Sequence, residues 1–78
     1  TNTLQAEAHF IVGSSYFFSS KSDEAQKQLE ASLNKDAKWA QADEVMFLLA
    51  QVLAQRGKVQ ESVKILEQMI AAFPNSNL

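Results

Sequence analysis

His9-Phe10-Ile11-Val12-Gly13-Ser14-Ser15-Tyr16 returns thirty-seven residues later as Met46-Phe47-Leu48-Leu49-Ala50-Gln51-Val52-Leu53. The register holds outward from this pair. Ser20 falls on Gly57, Glu24 on Glu61, Ala25 on Ser62, Lys27 on Lys64, Leu29-Glu30 on Leu66-Glu67, Leu33 on Ile70 and Ala37 on Pro74. Small residues meet small ones where two helices must approach closely. Large residues meet large ones where a gap must be filled. Chance does not keep both classes in step over most of a chain. Such a repeat signals stacked like units, none of which can bury its apolar face alone.

The units are helical. Two glycines and one proline stand among 78 residues, and alanine, leucine, glutamine, glutamate and lysine favour helices with short connections. No segment alternates with period two for more than a few residues. The spacing predicts a first helix from about Leu4 to Ser19, with Leu4, Ala8, Ile11, Val12, Ser15 and Tyr16 on its buried face. Ser22 reads as the N-cap of a second helix, from Asp23 to about Asn34, with Asp23 and Glu24 suited to its first turn. Ala25, Leu29, Ser32 and Leu33 are its expected core. Asp23 and Lys27 form an i,i+4 pair on its outside, and Lys21–Gln28 reads as a hydrophilic outer face. Asp36 is the expected cap of a third helix, from about Ala37 to Arg56, with Trp39 at its start over the seam between repeats. Gly57 suits the stop, because glycine enters the left-handed conformation at little cost. A fourth helix spans about Lys58 to Ala72, burying Val59, Val63, Leu66, Met69 and Ile70 until Pro74 ends the pattern.

Seven lysines and arginines against nine aspartates and glutamates give a formal charge of -2. Each half of the chain nets one negative charge, with no basic block. Nucleic-acid binding needs clustered positive charge to displace counterions, so a polyanionic partner is not expected. There is no cysteine, which rules out disulfides and leaves the compartment open. No apolar run approaches the roughly 18–20 residues needed to cross a bilayer, and direct membrane insertion is not expected. The chain begins at Thr1 and reads as a processed product or a piece of a longer repeat protein.

The repeated pattern resembles the tetratricopeptide repeat. Its signature runs from an aromatic or large residue through leucine-glycine and tyrosine to alanine, a large residue and a closing proline. His9, Val12-Gly13, Tyr16, Ala25, Leu29 and Leu33 match it first, with Ala37 where proline is usual. Met46, Leu49-Ala50, Leu53, Gly57, Ser62, Leu66, Ile70 and Pro74 match it again. The resemblance implies an all-α fold of two tandem helix–turn–helix hairpins, four antiparallel helices in a right-handed stack. Residues 1–78 then form a single domain, repeat 1 about 6–36 and repeat 2 about 43–76. Three extra residues separate the repeats, within Lys35–Gln41. That connection is similar to those of bacterial envelope repeat proteins, the Tol–Pal coordinators and outer-membrane assembly lipoproteins, which implies the periplasm or envelope ahead of the cytoplasm.

In that family the first helix of each repeat lines a concave groove in which partners lie. The resemblance carries the groove to Glu7, Phe10, Ser14 and Phe17, then to Glu44, Phe47, Gln51 and Ala54. Phe10 and Phe47 are repeat-equivalent, and an aromatic pair in a groove can anchor an apolar peptide or helix. Packing against each other or against a neighbour is the competing account. Chaperone-binding members hold a peptide carboxylate with a lysine and asparagines. Here Phe10, Ser14, Phe47 and Gln51 occupy those places, so a carboxylate clamp is not expected.

Nothing in the residues calls for catalysis, a metal or a cofactor. His9 is the sole histidine, a zinc site takes three or four ligands, and packing explains His9 better. Glu7 and Glu44 are repeat-equivalent, but a carboxylate pair acts only across a closed pocket, which two repeats scarcely make. The expected function is therefore non-enzymatic scaffolding of a protein or peptide partner. Two alternatives stand beside it: a homo-oligomerisation platform using uncapped end faces, or an accessory segment of a larger enzyme or regulator.

Overall fold

A computed structural model describes residues 1–78 as four helices without strands: α1 (Asn2–Phe18), α2 (Ser22–Lys35), α3 (Ala42–Gln55) and α4 (Val59–Ala72). α1 packs on α2, α2 on α3 and α3 on α4, while α1 and α3 barely meet. The result is two tandem helix–turn–helix hairpins, as the repeat implies.

Both hairpin turns share one backbone solution. The Lys21 amide donates to the Tyr16 carbonyl at 2.9 Å and the Ser20 amide to the Phe17 carbonyl at 3.1 Å. In the second hairpin Lys58 donates to Leu53 at 2.8 Å and Gly57 to Ala54 at 3.0 Å. This pair of bonds closes a helix when the residue after the cap turns left-handed. Gly57 does so at φ 79°, and its counterpart Ser20 does so at φ 62°. The glycine stop is as expected, and in the first hairpin a serine with a Cβ takes the same strained conformation.

The caps differ from expectation. Thr1 caps α1, its hydroxyl accepting from the Leu4 amide at 3.2 Å. Ser22 is the first residue of α2 rather than its cap, and its hydroxyl faces Gln55 Oε1 at 3.5 Å. Asp36 does not start α3 either. Its carboxylate accepts from the Lys38 amide at 3.1 Å and from the Thr3 hydroxyl at 2.7 Å. That local turn competes with helix. Residues 37–41 consequently form turns, and α3 begins only at Ala42. Trp39 lies in this connection, outside the helix, and there it closes the seam.

The core lies between the hairpins. Ala6, Ala25 and Leu29 from the first meet Ala42, Val45, Leu49, Val52 and Leu53 from the second, with Trp39 over them. Burying each leucine or valine contributes roughly 1.5–3 kcal/mol, so this contact outweighs any polar tie nearby. α2 buries Ala25, Leu29 and Ser32, with Leu33 half-buried, as the periodicity predicts. Gly13 lets the helices of hairpin 1 close up, since a Cβ there would stand 2.9 Å from Leu29 Cδ2. Ala50 fills the equivalent place in hairpin 2, and its carbonyl accepts from the Ser62 hydroxyl at 2.8 Å.

Two expected buried faces are instead open. On α1 only Tyr16 of the six packs against the core, while Leu4, Ala8, Ile11, Val12 and Ser15 are exposed. The helix turns Ala6, Phe10, Gly13 and Phe17 inward. On α4, Met69 is buried and Leu66 half-buried, but Val59, Val63 and Ile70 face solvent. Apolar spacing shows that a stripe exists, not that a neighbour covers it. α1 and α4 are the outer helices of residues 1–78, and each carries a stripe that none of the other three helices covers.

The hydrophilic reading of Lys21–Gln28 also needs correction. Gln26 is buried and Gln28 half-buried. Arg56, in the second turn, donates to Gln26 Oε1 and pairs with Asp23 at 2.8 Å. Asp23 thus bridges the hairpins rather than pairing with Lys27. Gln26 in turn donates to Glu30 at 3.0 Å.

Two stability outcomes follow, both read by urea unfolding. Ser20→Gly relieves the left-handed serine and raises stability by up to about 1 kcal/mol, whereas Gly57→Ala lowers it by about 1 kcal/mol. Arg56→Met keeps the apolar stem and removes the bridge to Gln26 and Asp23, costing about 1–2 kcal/mol; an unchanged midpoint would show that the bridge is ornamental.

Candidate functional site

The eight expected groove residues fall on α1 and α3, but the two helices use them differently. On α1, Glu7 is exposed, Ser14 half-buried, and Phe10 and Phe17 are half-buried against the core. The Phe10 ring meets Trp39 edge-on, centroids 5.9 Å apart at 70°. Such a pair is worth about 0.5–1.5 kcal/mol beyond its burial, so Phe10 already has structural work. Phe17 stacks edge-on with Phe18 at 5.4 Å, and Phe18 itself is 81% exposed.

On α3, Glu44 and Ala54 are exposed, Gln51 is exposed and Phe47 half-buried. Phe47 has no aromatic partner of the kind Trp39 gives Phe10. With Gln51 and Ala54 it joins Ala50, Ser62 and Leu66 around an open, largely apolar depression of about 230 Å³ between α3 and α4. Glu44 does not line it, and no depression is lined by both the α1 and the α3 quartets. Ala50, Ser62 and Leu66 were absent from the groove read off the sequence. Their signal was the repeat itself, since they stand where Gly13, Ala25 and Leu29 stand in the first hairpin.

The remaining polar side chains tie helices together. His9 Nδ1 lies 2.7 Å from Gln28 Oε1, a bond in which the ring N–H donates across α1 and α2. Ser32 donates to the Ala6 carbonyl at 2.8 Å, again joining these helices. No three histidine, cysteine, aspartate or glutamate side chains gather as a metal site would require. No helix is long and apolar enough to cross a membrane.

Residues 44–76 match the tetratricopeptide repeat family, so the second hairpin carries that repeat with the closing Pro74 inside it. The first hairpin stacks on it in the same helix–turn–helix form. No curated protein and no solved structure matches the chain.

Trp39 offers a direct check on the seam. It is buried, yet its Nε1 has no hydrogen-bond partner. Removing the N–H therefore costs nothing in bonding, while removing the ring opens a cavity. Trp39→Phe should lose about 1–2 kcal/mol and Trp39→Ala about 3–5 kcal/mol. Native Trp39 fluorescence should be blue-shifted and move to the red as urea unfolds the chain.

Proposed function

We propose that this chain is a tetratricopeptide-repeat protein acting as a non-enzymatic interaction module, taking a peptide or helix of a protein partner along its concave face. The face comprises Glu7, Phe10, Ser14 and Phe17 on α1 with Glu44, Phe47, Gln51 and Ala54 on α3. Tetratricopeptide repeats generally mediate protein–protein interaction, and the match over residues 44–76 brings that expectation to α3. The functional unit in this reading is the whole of residues 1–78, with repeats at about 6–36 and 43–76. A kinship with envelope repeat proteins draws only on the Lys35–Gln41 connection.

The observation that carries the reading is Phe47. Phe10 is engaged by Trp39, whereas Phe47 is half-exposed beside an open apolar depression. A large ring already partly ordered loses little entropy on binding and offers a wide contact, which is how interface anchors earn their weight. The row has no lysine or arginine, so it suits an apolar segment rather than a terminal carboxylate.

A peptide library displayed on phage and selected on the immobilised chain tests this. Enriched peptides should be apolar and should lose about 30-fold in affinity against Phe47→Ser, the loss of an anchor worth about 2 kcal/mol. Val59→Ser, on the far end of α4, should leave them unaffected. Peptides that bind Phe47→Ser as well as the native chain would place the interaction elsewhere.

A further inference from the structure

Inside the chain, α3 seats on α2 at the mouth of the α1/α2 groove and meets α1 only lightly. Val45, Leu49 and Val52 on one side and Ala25 and Leu29 on the other are all but removed from solvent. The repeat-equivalent groove between α3 and α4 is empty. Ala50, Ser62 and Leu66 stand there where Gly13, Ala25 and Leu29 stand in hairpin 1, and they border the open depression. Next to Ser62 on α4, Val63 is 48% exposed while its counterpart Gln26 is 9% exposed. Ile70 is exposed while its counterpart Leu33 packs against the core.

The complement to this empty groove sits at the other end of the same molecule. Thirty-seven residues before Val45, Leu48, Leu49 and Val52 stand Ala8, Ile11, Val12 and Ser15, all of them exposed. Val12 is 42% exposed against 2% for Leu49. α1 therefore presents, at the same register, the face with which α3 seats on α2 inside the chain.

We propose that the chain associates with a second copy of itself head to tail, α1 of one copy seated at the mouth of the α3/α4 groove of the next. Each junction continues the hairpin-on-hairpin packing already present, one unit further. The contact joins two different surfaces, so successive copies can add in a row instead of closing as a symmetric pair. The junction between copies is weaker than the one within. Asn2 stands where Trp39 stands, Ser19 where Arg56 stands, and Ala8 and Ser15 are smaller than Val45 and Val52. Association is therefore concentration-dependent. Phe10 stays half-buried with α3 in place, so a docked copy leaves Phe47 similarly half-buried. The inference stands whether or not the concave face binds a partner.

Sedimentation velocity on the full 78-residue chain tests it, over a series from about 10 μM to about 1 mM. The native chain should show a rising sedimentation coefficient. Ala8→Glu blocks the α1 face and Val63→Glu blocks the groove; each alone should lose the rise. Their equimolar mixture should recover association and stop at a dimer, because each variant keeps the face the other lacks. Ile11→Lys and Ile70→Lys form a second pair should circular dichroism show either glutamate variant unfolded. A native chain that stays monomeric throughout overturns the proposal. So does a single variant that still associates as the native chain does, which marks a like-on-like contact, or a mixture that stays monomeric.

Discussion

Leu29 of α2 and Val45 and Leu49 of α3 hold the two hairpins as one body. A hairpin of two short helices cannot keep its apolar face dry, because a single-turn connection puts only one side of each helix in contact with the other. Seating α3 on α2 removes water from both hairpins at once. The rest of the seam answers to that contact. The connection from Asp36 to Gln41 folds as turns rather than helix, which swings Trp39 over the junction. Arg56 then reaches back from the second turn to Gln26 and Asp23. These polar ties set the register of the hairpins, while the dry contact supplies most of the energy.

Stacking by one face has a consequence at both ends. α1 has an inner side, packed chiefly on α2, and an outer side, which carries Leu4, Ile11 and Val12 to solvent. α4 carries Val59, Val63 and Ile70 in the same way.

The first hairpin also shows how equivalent positions come to do different work. Phe10 and Phe47 occupy the same place in their repeats, and the repeat pattern alone treats them alike. In the folded chain Phe10 has Trp39 against its ring, because the connection that carries the tryptophan follows the first repeat. Phe47 has no such ring against it. A similar divergence separates Ser20 from Gly57: one backbone conformation, reached with a Cβ in the first turn and without one in the second.

Four helices, two hairpins and the thirty-seven-residue register were legible in the residues themselves, because helical period and small-on-small matching are local or repeated properties. The glycine stop at Gly57 was legible for the same reason. The cap at Ser22, the start of α3, the Asp23–Lys27 pair and the hydrophilic reading of Gln26 were misjudged. Three of these involve a partner distant in sequence, Gln55 for Ser22 and Arg56 for Asp23 and Gln26, while the start of α3 was displaced by the local turn of Asp36 onto Lys38. The covered faces of α1 and α4 were misjudged for a simpler reason. Amino-acid sequence by itself determined that these helices carry apolar stripes and that the chain is a repeat. Which stripe is buried was decided only by the tertiary stack, since burial depends on whether a neighbour exists on that side, and periodicity carries no record of neighbours.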